Sequence, residues 1–297
     1  MTPKSAPLSG RIALVTGASR GAGRGIAIEL GAAGASVIVT GRSTRARPAE
    51  SYGQILGLSG LTVPPGTIED TADAVTAAGG RGLPRLCDHR DPDAVESLVA
   101  AIEAEIGPID VLVNNAWAGH ESFDGRFAAP FWEQPLSHWE AMMDGGARLH
   151  LVTARAVAPR MAGRRRGAIL ATTFWDLDRF LRGNLSYDLA KAAINRLALA
   201  IAEDLRPHGV ASLAVSPGWM RTEWVLAGHR TDEAHWQGVP ALARTESPHY
   251  LGRAVAALSA DPDILRQTGR ILRVADLADH YGFTDTDGRR VPAFELE

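Results

Sequence analysis

Cysteine is nearly absent: Cys87 is the only one in 297 residues. That excludes a disulfide framework and any multi-cysteine zinc or iron–sulfur site. There is no excess of basic charge, with 31 Lys+Arg against 34 Asp+Glu and a formal net charge of −3. A nucleic-acid binder usually carries a basic balance or a clustered basic face, so that class is not favoured. No apolar stretch approaches the ~20 residues needed to cross a bilayer, and Met1-Thr2-Pro3-Lys4-Ser5-Ala6-Pro7 lacks the apolar run of a signal peptide. The nine histidines show no H-E-x-x-H or other close ligand spacing, so a metal is not expected. Asp285-Thr286-Asp287-Gly288 opens like a calcium loop but lacks the remaining ligands and the terminal glutamate. Internal repeats and low-complexity linkers are also missing. What remains is an ordinary globular composition, 45% hydrophobic and 22% charged, enough to build a sizeable core. A reducing, cytoplasmic setting is the expectation.

The apolar pattern alternates between two periods. Arg11–Thr16, Ser36–Thr40, Gly82–Cys87, Ile109–Val113, Ala168–Thr172, Val210–Val215 and Arg270–Val274 read as strands, most of them near-continuous in Val, Ile, Leu and Ala. Between them, Gly25–Ala33, Thr67–Ala78, Pro92–Ile106, Ser137–Met161, Tyr187–Arg206 and Pro248–Ser259 read as helices. Strands of this kind are buried on both faces, which implies a parallel sheet covered by helices on each side. The economical topology is a doubly wound, Rossmann-type α/β sheet in a single domain, 1–297, with insertions at about 43–66 and 219–247.

Thr16-Gly17-Ala18-Ser19-Arg20-Gly21-Ala22-Gly23 follows the first strand directly and opens a helix. Glycines there let the chain turn sharply and let backbone approach a pyrophosphate, which the helix N-terminus then receives. Gly17, Ser19, Arg20, Gly21, Ala22 and Gly23 are therefore candidate cofactor contacts. Gly17-Ala18-Ser19-Arg20-Gly21 also fits the G-x-S-x-G elbow of hydrolases. That elbow borrows an oxyanion-hole N–H from an earlier strand–helix loop, and the sixteen residues before Gly17 leave no room for one. The second strand ends Thr40-Gly41-Arg42-Ser43. Arg20 and Arg42, with no acid at that strand end, suit a 2′-phosphate and favour NADP(H) over NAD(H).

Ser186-Tyr187-Asp188-Leu189-Ala190-Lys191 puts Tyr187 and Lys191 four apart, on one helical face. A phenol with a pKa near 10 is a poor acid or base at neutral pH; a neighbouring ammonium favours phenolate and brings it into range.

Together these motifs resemble the short-chain dehydrogenase/reductase family from about Gly10 to about Gly288. Besides the glycine turn and the Tyr–Lys pair, the resemblance rests on Asp88 after the third strand, Asn114-Asn115-Ala116 after the fourth, and Pro217-Gly218 with Thr222 after the sixth. Asn114-Asn115-Ala116-Trp117-Ala118-Gly119, Phe131-Trp132-Glu133-Gln134-Pro135 and Asp276–Phe283 are similar to the subgroup of dehydrogenase/reductase family member 1 and its bacterial relatives. The resemblance implies about seven strands in the order 3-2-1-4-5-6-7, a nicotinamide cofactor, and hydride transfer at a carbonyl or secondary alcohol. It places Asp88 near the adenine, has Asn114 steady the sheet beside the cofactor, and counts Asn114 and Ala116 among the cofactor-binding residues. Pro217, Gly218 and Thr222 would lie near the nicotinamide. Tyr187 would exchange the substrate proton while Lys191 holds the nicotinamide ribose. It also implies a homodimer or homotetramer through Ser137–Met161 and Tyr187–Arg206.

Two positions depart from the family pattern. Where a serine orients the substrate carbonyl, this chain has Phe174, with Thr173 the nearest substitute. Where an asparagine relays protons to the lysine, it has Gly146, which reads either as a local bulge or as a water-filled gap. Losing one such hydrogen bond costs ~10²–10³ in rate. The rival reading is accordingly a cofactor-binding module with little chemistry that signals redox state to a partner. Trp219, Met220, Trp224 and Trp236, with Trp117, Phe131, Trp132 and Trp139, suggest a lid over a bulky apolar substrate.

Overall fold

A computed structural model describes residues 6–48, 66–121, 129–175, 179–181 and 184–296. Seven strands are joined by crossovers: β1 (Ile12–Val15), β2 (Ser36–Gly41), β3 (Arg81–Leu86), β4 (Val111–Asn114), β5 (Ala168–Thr172), β6 (Ala211–Ser216) and β7 (Ile271–Arg273). All neighbouring pairs are parallel, and the order is β3-β2-β1-β4-β5-β6-β7. The chain reverses direction of travel at β1/β4, which opens a crevice at the strands' carboxyl ends.

Strand parity decides which helices cover which face. Ala13, Val15, Val37, Val39, Val113 and Val215 point to one side, where α1 (Gly21–Ala32) and α8 (Pro248–Ala260) bury Ile26, Leu30, Tyr250 and Val255. Ile12, Leu14, Ile38, Leu112 and Ile169 point to the other, against α3 (Pro92–Glu105) and α5 (Arg148–Arg164). Helix starts carry their sequence signals: Thr67 caps α2 (Ile68–Ala77), Asp91 precedes Pro92 on α3, and Ser247 precedes Pro248 on α8.

The expected helix over Ser137–Met161 is in fact two, α4 (Leu136–Met142) and α5, joined by a π-helical turn over Met143–Ala147. The glycine pair Gly145-Gly146 sits inside that turn, so the bulge reading of the departure is the observed one. Two further helices went unread in the sequence, α7 (Glu223–Gly228) and α9 (Val274–Tyr281). Of the expected insertion 43–66, residues 49–65 lie outside the described set. The 219–247 segment is held by Arg221, whose side chain is fully buried. Arg221 pairs with Asp285 at 3.0 Å and Glu233 at 3.0 Å, donates to the Thr245 carbonyl at 3.2 Å, and lies over Trp236. Arg289 covers the same indole. Among the described residues, no helix is long and apolar enough to cross a membrane.

Candidate active site

The glycine turn lies between β1 and α1, as read. Gly17 has φ +65°, and a Cβ there would fall 2.7 Å from the Ala116 Cα. A side chain is excluded on both counts, so the turn can press against the end of β4. Asn115, rather than Asn114, stitches the two: its Nδ2 donates to the Thr16 and Gly17 carbonyls at 3.0 and 3.1 Å. The Thr16 hydroxyl accepts from the Asn115 and Ala116 backbone N–H groups. Asn114 instead donates to the His150 carbonyl at 3.0 Å and lies buried. Sequence reading singled out Asn114 of the doublet and not Asn115, whose contacts to the turn come from residues 98 and 99 positions away and leave no local signal.

A cavity of about 400 Å³ opens over this turn. It is lined by Gly17, Ser19, Arg20, Gly21, Ala22 and Gly23, by Arg42, Asp88 and Ala116, and by Thr222. The N-terminus of α1 already holds an anion: the Glu223 carboxylate accepts from the Gly21 N–H at 3.0 and 3.3 Å. The carboxylate marks this helix terminus as an anion-accepting position, and with the close Gly17 approach the turn has the features a dinucleotide requires. At the other end Arg20 donates to Ser43 Oγ at 3.2 Å. Arg42 is not without an acid, contrary to the expectation from β2. Glu121, from the loop after β4, pairs with it and approaches Arg90 at 3.6 Å, while Asp88 pairs with Arg90 at 2.6 Å. A partner 79 residues away leaves no trace in local spacing.

Tyr187 and Lys191 lie in the first two turns of α6 (Leu185–Leu205), whose N-terminus is capped by Asn184 accepting from the Tyr187 N–H at 3.2 Å. Neither lines the cavity, nor do Thr173, Asn114, Pro217 and Gly218. Contact runs through Trp117 and His120, which do line it. The Lys191 ammonium sits 4.0 Å from the Trp117 ring centroid, and the Tyr187 ring meets that indole edge-on at 5.4 Å. Trp117 Nε1 donates to His120 Nδ1 at 3.1 Å, and the His120 ring stacks on Tyr187 at 5.7 Å. The indole also reaches the π-turn: a Cβ on Gly146 would fall 2.4 Å from it. The space at Gly146 is therefore filled by tryptophan, and the water-filled alternative does not hold.

The acidification expected of Tyr187 does not hold in this arrangement either. Burial among Trp117, His120 and Met142 pushes its phenol up to about 12, and burial draws Lys191 down to about 7. Desolvation is the leading cause for both groups, and the Asp188 carboxylate raises the phenol further. His120 and His150 are lowered to about 4 and about 3 by burial and, secondarily, by Lys191. His89, donating and accepting between Thr40 Oγ1 (2.8 Å) and Thr153 Oγ1 (3.1 Å), is lowered to about 4 by burial.

Thr173 is buried at the end of β5 and its hydroxyl donates to the Lys191 carbonyl at 3.3 Å, tying the strand to α6. Pro217-Gly218 borders a separate, small cavity. Its Gly218 N–H donates to the buried Glu246 carboxyl at 2.9 Å; burial, before any partner, pushes that carboxyl up to about 8. Of the aromatics read as a lid, Trp117 and Trp224 line the main cavity. Trp236 is buried with Leu226 and Leu242, while Phe131 and Trp132 are 63% and 72% exposed. An eight-residue lid is therefore not what these side chains form: Trp236 is core and Phe131 and Trp132 face solvent. Among the described residues no group of His, Cys, Asp and Glu is arranged to hold a metal.

Comparison with known proteins agrees with this geometry. The sequence model of the family described as Enoyl-(Acyl carrier protein) reductase matches residues 60–275. Dehydrogenase/reductase SDR family member 1 of Mus musculus is 36% identical over 293 residues, covering 96% of this chain and 86% of that protein. A short chain dehydrogenase of Mycobacterium thermoresistibile superposes with a TM-score of 0.76 at 31% identity, over 97% of this chain and 94% of that one. A metagenomic short-chain oxidoreductase solved in complex with NADP has a TM-score of 0.65 at 26% identity, over 90% and 98%. With the sheet order, the glycine turn against Ala116 and the Tyr187–Lys191 pair on one helix, these matches establish that the chain belongs to the short-chain dehydrogenase/reductase family.

Proposed function

We propose that the protein is an NADP(H)-dependent oxidoreductase that interconverts a carbonyl and a secondary alcohol, with Tyr187 as the acid/base. The observation that carries the reading is the placement of Tyr187 and Lys191 on one face of α6, beside a glycine-turn cavity whose helix terminus already holds a carboxylate. When bound, the nicotinamide supplies or accepts the hydride. Gly17, Gly21, Gly23 and Ala116 would hold the pyrophosphate side, and Arg20 and Arg42 the 2′-phosphate, with Arg42 exchanging Glu121 for it. Asp88 would border the adenine, and Pro217, Gly218 and Thr222 the nicotinamide.

The phenol at about 12 is loaded with its proton at neutral pH. In reduction the Tyr187 hydroxyl gives that proton to the carbonyl oxygen as the hydride reaches carbon. In oxidation the phenol must first lose it, which requires a charged Lys191, and burial draws that charge off at about 7. At neutral pH the phenol therefore rests in the proton-donating form that the reductive half of the cycle uses. Thr173 would orient the substrate oxygen by exchanging its bond to the Lys191 carbonyl. Trp117 and Trp224 support an apolar substrate. Exposed Leu151 on α5 and Leu189 on α6 support a homodimer or homotetramer through those helices; elution as a monomer would contradict it. The buried thiol of Cys87 agrees with a reducing, cytoplasmic setting.

A screen of ketones and alcohols, followed by NADPH absorbance, identifies the substrate class. Tyr187→Phe should then lower turnover ~10²–10⁴-fold with cofactor binding retained. Unchanged turnover would remove Tyr187 as the acid/base, whereas cofactor binding with no turnover of any ketone or alcohol would favour the second reading, a cofactor-binding module, for which the engagement of Thr173 with α6 speaks.

A further inference from the structure

Among the described residues, no carboxylate is set against Lys191. The titratable groups set against it are Tyr187 on its own helix, His120 on the loop after β4 and His150 on α5. Both histidines are kept neutral by burial and the phenol is protonated, so none offers a negative charge. Such a cation, removed from water, should lose its proton unless something polarisable stands in for solvent. What stands there is the face of Trp117, 4.0 Å from the ammonium. The indole can reach that position only because residue 146 is glycine, where any Cβ would collide at 2.4 Å. Its tilt is fixed from the far edge by the Nε1–His120 hydrogen bond.

We propose that Trp117 is the positioning residue for Lys191: its ring occupies the space opened at Gly146 and holds the ammonium by its π face, fixing the lysine beside Tyr187. The inference deepens the function proposed above, since it assigns how the Tyr–Lys pair is kept in register. The ring acts on the charged form of the lysine alone, a neutral amine gaining little from the quadrupole. The pair Trp117 and Gly146 is therefore one device, and neither position can change without the other.

The test uses the fact that the chain's other lysine, Lys4, is far away in sequence, so [13C]lysine-labelled protein gives few signals to assign. Tryptophan at 117 is replaced site-specifically by 5-fluoro-, difluoro- and tetrafluorotryptophan, which weaken the π face while nearly keeping the volume. The Lys191 Cε shift is titrated from pH 5 to 11, with Lys191→Arg to assign it. The midpoint should fall stepwise along the series, by about one pH unit in total. A midpoint that stays constant, or rises, overturns the proposal. Gly146→Ala supplies a second arm: its Cβ takes the space the ring needs, so the Lys191 midpoint should fall as in the most fluorinated variant, and an unmoved midpoint would also overturn the proposal. If the lysine follows the ring but no carbonyl or alcohol is turned over, the proposed activity fails and this assignment stands.

Discussion

Glu223 is the residue whose removal should most directly change cofactor affinity. Its carboxylate accepts from the Gly21 N–H at 3.0 and 3.3 Å, at the first position of α1. A hydrogen bond from a charged group is worth about 1.5–3 kcal/mol and the helix dipole adds about 0.3–1 kcal/mol. The contact is only partly buried, so solvent discounts this to about 1–2 kcal/mol that an incoming pyrophosphate must displace. At about 1.4 kcal/mol per factor of ten, Glu223→Ala should tighten dinucleotide binding ~5–30-fold. Glu223→Gln, which keeps an acceptor but loses the charge, should fall between. The Thr222 cap on α7, accepting from the Val225 N–H, is untouched by either change. Calorimetric titration of apo protein with NADP+ reads the constant directly. An affinity that is unchanged or weaker in Glu223→Ala would show that this carboxylate does not compete for the anion position, and the assignment of that position to pyrophosphate would lose its support.

Three further outcomes can be measured directly. His89, His120 and His150 are held at about 4, about 4 and about 3, against an ordinary value of 6.5. The unfolded chain takes up protons below 6.5 that the folded one refuses, so their contribution to stability is intact above 6.5. It should be lost as pH falls from 6.5 toward 4, on the order of 2–3 kcal/mol per histidine; a urea midpoint constant between pH 7 and 4.5 would contradict this. Arg221→Met strands the fully buried Asp285 carboxylate and should cost about 3–5 kcal/mol in urea denaturation, with Arg221→Met/Asp285→Asn recovering part. A loss below about 1 kcal/mol would mean that Ser247, whose N–H reaches Asp285 at 2.9 Å, suffices. Arg42→Ala should weaken NADPH binding about tenfold and leave NADH unchanged; an equal effect on both would remove the 2′-phosphate assignment.

Strand positions were legible because most buried parallel strands leave continuous Val, Ile, Leu and Ala runs, and each predicted strand lies within two residues of its observed end, while the strand order was what the family resemblance implied. The glycine turn was legible because it needs a residue type, not a distant partner. What escaped was set by tertiary contact. The π-turn at Met143–Ala147 has the periodicity of the helices it joins, so the sequence shows one helix where there are two. Glu121, Glu223 and Glu246 lie 79, 202 and 28 residues away from the Arg42, Gly21 and Gly218 that they contact. The Tyr187 phenol moved opposite to expectation because spacing along a helix conveys the neighbour and says nothing of how much water is lost.

Arg221 joins parts of the chain that would otherwise drift independently. It ties the stretch after Pro217-Gly218 to Thr245 and Glu233 and to Asp285, with Arg289 sharing the far side of Trp236. A nick near residues 285–289 would therefore be felt at the rim beside Thr222, some sixty residues upstream, by loosening a common fastening. Trimming or tagging that tail is an alteration of the entrance itself.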